Sequence, residues 1–492
     1  MMITRREFIS RSAALYLASR YPLHAGHPLV VNDIHSQLNK TRVDRVLAPR
    51  SVSEVQTAVR EAKTLHKSVS IAGGRHAMGG QQFGAGAVLL DMRQMTQVID
   101  LDLEQGTVAV QAGAFWPEVI SEYLRRQQGR THQWGIAQKQ TGADKLSIGG
   151  TLAANAHGRG LTMMPFVSNI ESFTLVNADG DLVTCSRQEN PDLFRLAIGG
   201  YGLFGVVCSV KLRLVPRQKI ERVVEVRNAD GLITAFDDRI RNNFLYGDFQ
   251  FAVDRDSDDF LRKGVFSCYR PVDPATPMPE QVKELSDESW RMLLYLAHVD
   301  KSEAFHRYAD YYLSTNGQLY WSDTHQLSFY PENYHKAIDQ KTHAKHAGTE
   351  MITEINVPRE TLNSFLEEVR EDFRKNNVEL IYGTIRLIEK DPESFLPWAK
   401  QSYACTIFNL HTEHTPEGVA RSAEAFRRLI DMAARRNGTY YLTYHRYAHR
   451  DQVLACYPQF PRFLQLKRKH DSAERFQSDW YRHYKNMFKD VL

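Results

Sequence analysis

The stretch GGRHAMGGQQFGAGAVLLDM, residues 73–92, constrains the fold more than any other part of the chain. It crowds glycines around His76, between the β-like runs SVSI and AVLLDM. Glycine allows a backbone approach that a Cβ forbids, and successive free N–H groups form nests that bind phosphate. A Rossmann fingerprint would need a helix next, with the pyrophosphate at its N-terminus. Here residues 81–86 are rich in helix breakers and a strand follows, so that reading fails. SIGGTLAANAHGRG supplies a second segment, in which Gly149 and Gly150 precede small residues that a dinucleotide can approach closely. GGYGLFGVV supplies a third. Each turn alone is a weak signal; the three together predict a dinucleotide cradle.

At 492 residues the chain exceeds what one hydrophobic core organises, so two domains or more are expected. Lys and Arg number 62 against 58 Asp and Glu. With charge so nearly balanced and no basic stripe or finger spacing, no nucleic-acid partner is expected. No apolar run approaches the roughly 20 residues that span a bilayer, so no transmembrane segment is expected. Cys185, Cys208, Cys268, Cys405 and Cys456 are scattered without a CxxC pair, which indicates neither a zinc site nor a disulfide framework. The pairs His343/His346 and His445/His449 lack a HExxH arrangement, and no metal is expected. At the N-terminus, ITRREFISRSAALYLAS places Arg5 and Arg6 before a short apolar stretch and resembles a twin-arginine export signal. Residues 1–25 are set aside as a leader; a periplasmic or exported location follows if it functions, a cytoplasmic one if not.

From 45 to 216, short β-like runs alternate with helical patterns, including a helix over 52–66 and another over 116–127. Asp179-Gly180 is the turn signal of a hairpin. The middle of the chain is less readable, with strands in LYGDFQFAV and GVFSCY and two helices between 279 and 314. From 351 the pattern sharpens to β-α-β-β-α-β, the ferredoxin-like order. Alternation along its strands puts Thr353, Ile355, Val357, Ile381, Ile385, Leu387, Phe408, Leu410 and Leu442 under the helices. Glu354, Asn356, Tyr382, Thr384, Arg386, Cys405, Asn409, His411, Tyr441, Thr443 and His445 are left on the other face. Beside a cofactor lobe, such a face reads as a substrate wall.

GGRHAMGGQ…VLLDM, SIGGTLAANAHGRG, NADGDLV and IGGYGLFGVV resemble, in order, the PCMH-type FAD-binding domain of the vanillyl-alcohol oxidase/p-cresol methylhydroxylase family, over residues 42–216. ACYPQFPRFLQLKRKHDSAERFQSDW resembles the closing segment of the sugar-oxidising branch: aldonolactone oxidases, alditol oxidases and decaprenylphosphoryl-ribose oxidase. The resemblance implies an α+β fold with a two-lobed PCMH-type FAD-binding domain over 40–216. It also implies a cap domain with a ferredoxin-like antiparallel sheet over 217–440, and a segment 441–492 that returns to the FAD domain.

The implied cofactor is FAD, joined covalently through His76 as in cytokinin dehydrogenases and several sugar oxidases, although Arg75 and Ala77 depart from the usual flanks. No cysteine near the second loop offers a second tether. By the same resemblance Gly73, Gly74, Arg75, Ala77 and Met78 form the first phosphate nest. Thr141, Gly142, Ser147, Ile148, Gly149, Gly150, Asn155 and His157 line the pyrophosphate and ring, and Gly205 and Val206 contact the adenosine or ribityl chain. Glu354 matches a strand glutamate that enters the site, and Arg386 matches a substrate-binding arginine or lysine. Where the branch carries a lysine near the last strand, this chain has Tyr444 or His445.

The implied reaction is hydride transfer from a CH–OH group of a sugar, polyol or lactone-like substrate to flavin N5. His445, His411 or Glu354 acts as base, and O₂ or a separate acceptor takes the electrons. The alternatives are amine oxidation like that of cytokinin dehydrogenases, and a flavin-bearing subunit without its own substrate.

Overall fold

The computed structural model describes residues 29–328 and 330–492. The twin-arginine-like leader lies outside the described residues. The fold is α+β, and the elements come where hydrophobic periodicity places them. Helix Val52–Thr64 buries Val55, Ala58, Val59 and Ala62 along one stripe, and the Ser51 side chain caps it by accepting from the Glu54 N–H.

This helix connects two strands of a three-stranded parallel sheet in the order Arg45–Leu47, Val88–Asp91, Val69–Ala72. Val88–Asp91 is central and buried throughout, so AVLLDM reads as a continuous apolar run. A five-stranded antiparallel sheet follows, in the order Leu182–Ser186, Ile170–Val176, Val206–Arg213, Thr107–Gln111, Val98–Asp102. Its hairpin turns at Gly180, with φ of +87°.

The largest sheet has eight strands, all antiparallel to their neighbours. Its order is Leu319–Trp321, Lys219–Asn228, Lys263–Pro271, Tyr246–Phe251, Leu380–Ile388, Tyr403–Glu413, Gly348–Pro358, Thr439–Tyr440. Numbered along the chain within each half, the strands run 4-1-3-2 and then 2-3-1-4. Two β-α-β-β-α-β units therefore meet at their second strands. The expected unit over 348–440 is the second; the first, over 219–321, escapes the sequence reading because long connections break its rhythm.

The halves are covered differently. In the second, helices Leu362–Lys375 and Pro416–Ala434 lie on one face, with Phe365 and Phe373 against Phe408. In the first, helix Leu232–Arg241 covers that same face through Phe236 on Phe266. Helix Lys301–Ser314 instead packs Ala309 and Tyr312 on Val224 and Val265, on the opposite face.

Register confirms the alternation in the second half: Thr353 pairs with Phe408 under the helices, while Glu354 pairs with Ile407 and Arg386 with Cys405 on the far face. Two positions depart from it. A bulge between Leu380 and Tyr382 turns Ile381 away from the second half's helices, onto Ala297 and Ala304. The last strand ends at Tyr440, so alternation does not carry on to His445.

Candidate functional site

The first glycine loop leaves strand Val69–Ala72 and lies directly on the second. A Cβ at Gly73 would overlap Ser147 Oγ, and one at Gly74 would overlap the Lys145 carbonyl, so only glycines permit this approach. Arg75 then takes φ of +60°. Among the described residues the N–H groups of Gly74, Arg75, His76 and Ala77 meet no protein acceptor. Four successive free donors around a left-handed residue form an anion nest. Beyond it the loop is tied to the chain's far end: Met78 N–H donates to the Thr443 carbonyl (3.1 Å) and Gln81 Nε2 to that of Leu442 (2.7 Å).

Arg75 turns its guanidinium to Asp91 (3.0 Å). His76 is held at both ring nitrogens: Nε2 lies 2.9 Å from the Lys145 carbonyl and Nδ1 lies 2.8 Å from His35 Nε2. Burial, and then the neighbouring His35, push its pKa well below the usual imidazole value, so the ring is neutral. With Nε2 donating to a carbonyl, Nδ1 keeps the lone pair.

The second loop is a wall rather than a nest. Ser147 caps helix Ile148–Ala154 through the Gly150 N–H, while the N–H groups of Ile148 and Gly149 go to the Ala114 and Ala112 carbonyls. Thr141 and Gly142 precede it in an irregular turn, where Gly142 N–H donates to Gln140 Oε1 (2.8 Å). Asn155 ends the helix at φ of +47°, its amide bonded to Asp391 (2.8 Å) and to the Val167 N–H (2.9 Å). It thereby joins three segments of protein. Gly205 packs against Leu175, and Val206 sits in a core with Val55, Val59 and Val69, away from the loops' free donors.

Segment 138–160 runs along the open face of the eight-stranded sheet, and there the polar residues converge. His157 Nε2 stands 2.8 Å from Glu354 Oε1, with neither side chain exposed, and His157 Nδ1 faces the Gly158 carbonyl (3.0 Å). Arg386 Nη1 donates to Gln140 Oε1 (3.2 Å). Burial, and then the charge of Glu354, raise the Tyr444 phenol well above its ordinary pKa, so it stays protonated beside Glu354, Arg386 and Gln140. Trp398 and Tyr441 pack on His157, with ring centroids 5.0 and 6.2 Å away.

Next to these are Glu354 Oε1 and Oε2, Arg386 Nε, Thr384 Oγ1, Asn409 Oδ1, Asp248 Oδ1, Gln250 Oε1 and Ser267 Oγ, buried atoms for which the protein supplies no aligned hydrogen bond. Each such atom, left dry, costs roughly 1–3 kcal/mol, so a strip of them marks a surface built to receive polar groups. A nest of free N–H donors, together with such a strip, fits a dinucleotide flavin with a polar substrate.

Of the residues expected here, Glu354, Arg386, Tyr444 and His157 come together. His411 shares their face but stands beside Glu350 at the strand's other end. His445 does not: its ring stacks on Phe426 (4.3 Å, 5°) under the helices and its Nε2 meets Thr353 Oγ1 (3.0 Å). Burial, and then Arg427, lower its pKa to about 3. Alternation had favoured His445 because the last strand was taken to be longer than it is. Sequence reading missed Gln140, Asp248, Gln250 and Trp398. The signal for two of them was present, since Asp248 and Gln250 alternate within the otherwise apolar LYGDFQFAV.

Comparison with known proteins agrees with this geometry. Residues 43–186 match the FAD binding domain family. An uncharacterized oxidoreductase of the fasciation locus of Rhodococcoides fascians is 30% identical over 218 residues, 44% of this chain and 48% of the relative. Cytokinin dehydrogenase 9 of Oryza sativa is 31% identical over 194 residues, 38% of this chain and 36% of the relative. L-gulonolactone oxidase of Mus musculus is 28% identical over 170 residues, 34% and 37% respectively. The chain thus spans less than half the length of each of these relatives. Residues 43–186 thus carry the match to the FAD binding domain family, and the chain is similar to these oxidoreductases over part of its length.

Proposed function

We propose that this protein oxidises a CH–OH group of a sugar, polyol or lactone-like substrate, the electrons leaving to O₂ or to a separate acceptor. The observation that carries this reading is the strip of unpartnered donors and acceptors around Glu354 and Arg386, which suits a ligand bearing several hydroxyls. The likeness to L-gulonolactone oxidase supports it. When bound, FAD supplies the acceptor for the two electrons and hydrogen released as C–OH becomes C=O. The free N–H groups of residues 74–77 would hold its phosphates.

The chain's own residues handle the proton and the orientation. Glu354 takes the hydroxyl proton, with His157 2.8 Å away to share it. Arg386, steadied by Gln140, holds a substrate oxygen, and Tyr444 donates a second hydrogen bond. His76 Nδ1, which carries the lone pair of a neutral ring, is the atom that would take a covalent flavin tether once His35 swings aside. Export through the twin-arginine-like leader belongs to the same proposal.

A second reading, oxidation of an amine, is favoured by the likeness to cytokinin dehydrogenase 9. Purified protein is scanned for flavin fluorescence on a denaturing gel and assayed with sugars, polyols, lactones and N-alkylated adenines. Turnover of a hydroxylated substrate, lost in Glu354→Gln, supports the first reading. Turnover of the adenines alone replaces it with the second, and protein without flavin overturns both.

A further inference from the structure

The open sheet face carries a second polar centre, near the start of strand Gly348–Pro358, whereas Glu354 stands at its middle. Glu350 lies on the same face as Glu354, four residues away, or roughly 13 Å at the rise of a strand. It is buried, and imidazoles from three other elements surround it. His298, on helix Asp287–Val299, brings Nε2 to 2.8 Å from Glu350 Oε1. His411, on strand Tyr403–Glu413, brings Nδ1 to 3.7 Å from the same oxygen. His335, on helix Tyr334–Thr342, brings Nδ1 to 2.8 Å from Oε2, which also accepts from the Tyr334 hydroxyl.

The ring nitrogens are prepared in a particular way. His298 Nδ1 faces the Leu294 carbonyl at 2.8 Å and must carry hydrogen to bond it. Its Nε2 then meets the Glu350 carboxylate through a cation on that nitrogen, either a proton or a metal ion. A ligating histidine that gives its other N–H to a backbone carbonyl is the usual orienting arrangement in metal sites. His411 Nδ1 is buried without a hydrogen-bond partner, and both nitrogens of the buried His335 lack an aligned one. Gly348 matters here: a Cβ there would overlap the His411 ring, so its glycine gives that imidazole its place over the strand. The ligand atoms of His298, Glu350 and His411 all lie within 4.8 Å of one another. At the roughly 2.0–2.2 Å bonds of zinc to nitrogen and oxygen, small side-chain shifts bring all three onto one ion.

We propose that His298 Nε2, Glu350 Oε1 and His411 Nδ1 bind one divalent transition-metal ion of the zinc class. Two imidazoles and a carboxylate suit zinc over calcium or magnesium, which require oxygen ligands. The ion joins a helix of the first half of the sheet to two strands of the second, and so fixes one end of the substrate wall. Spacing along the chain gives no hint of it, because no two of the ligands share an element.

The test uses the full, untagged chain with its natural flavin content. Metal is counted by mass spectrometry as purified; the protein is then stripped with a chelator and titrated with Zn²⁺ by calorimetry and with Co²⁺ by difference absorbance. About one ion per chain is expected, with a Co²⁺ ligand-field band. Affinity is expected to fall by about 100-fold or more in His298→Ala and Glu350→Gln, since even an outer-shell partner is worth 10–100-fold. A double variant of the exposed pair, His343→Ala with His346→Ala, is expected to keep the ion. No uptake of either ion by the wild-type chain overturns the proposal and leaves the cluster as a proton-held ion pair. Uptake abolished by the His343/His346 variant overturns it equally. Should the ligand variants fail to fold, the wild-type stoichiometry and Co²⁺ spectrum decide the matter.

Discussion

Glu350 and Glu354 stand on the same face of one strand, both buried, yet the protein treats them in opposite ways. Burial alone would raise the Glu350 pKa, but His298, His335 and His411 outweigh it and hold the carboxylate well below its usual range. Its two oxygens are divided between a histidine and a tyrosine hydroxyl on helices. Glu354 faces one imidazole, and neither of its oxygens has an aligned hydrogen bond. On the proposed reaction, the difference separates an anchoring carboxylate from a working one: a group that is to move a proton is left incompletely satisfied, and the cost of that is met elsewhere in the fold.

The largest effect that would break this comparison is catalytic. Glu354→Gln is expected to lower kcat by about 10²–10⁴-fold, the usual worth of a positioned base, with little change in unfolding midpoint. Unchanged kcat with a confirmed substrate would move the proton transfer to another group. Glu350→Gln is expected to do the reverse in kind. Breaking a buried charged pair on one side costs about 3–5 kcal/mol, to be read as a lower urea midpoint. A loss below about 1 kcal/mol would remove the distinction between the two carboxylates.

The third effect sharpens a parallel contrast between His157, beside Glu354, and His445, under the helices. His445 has a folded pKa of about 3, so the stability its neutral form contributes is complete above the ordinary imidazole value of 6.5 and is lost as pH falls from there toward 3. Acid unfolding should steepen over that window by up to about 1.4 kcal/mol per pH unit, and His445→Phe should flatten it. An identical acid profile in the variant would place the acid sensitivity in other groups. Smallest is Tyr444→Phe, which removes one hydrogen bond next to Glu354 and should lower kcat/KM about tenfold without altering the acid profile.

Much of this arrangement was legible in the residues. The glycine loops declared a close backbone approach, and alternation placed Glu354, Arg386 and His411 on one face, because side-chain parity in a strand is a local property. Three features were not local. The bulge at Ile381 reverses parity within one residue and leaves no mark in composition. His445 was misplaced because a strand of two residues looks longer when polar and apolar residues continue to alternate after it. The first β-α-β-β-α-β unit is hidden by connections too long for any window to bridge. Asn155 shows a different difficulty: sequence alone gives no sign that its amide knits three segments together, because Asp391 and Val167 are not its neighbours in the chain.

The far end of the chain completes the lobe that carries the glycine loops. Phe476 adds alongside Val69 as a parallel bridge, Val69 exchanges backbone hydrogen bonds with Arg475 and Gln477, and Thr443 holds the loop at Met78. In the time of synthesis this has a definite meaning. At 5–20 residues per second, roughly 20–80 s separate the emergence of Val69 from that of its last edge partner. For that interval the parallel sheet has an unpaired edge and the phosphate loop lacks its tether. Without residues 443–477 the loop at Met78 and the edge at Val69 lose these partners, so their removal is expected to weaken flavin retention before it disturbs the secondary structure of the lobe.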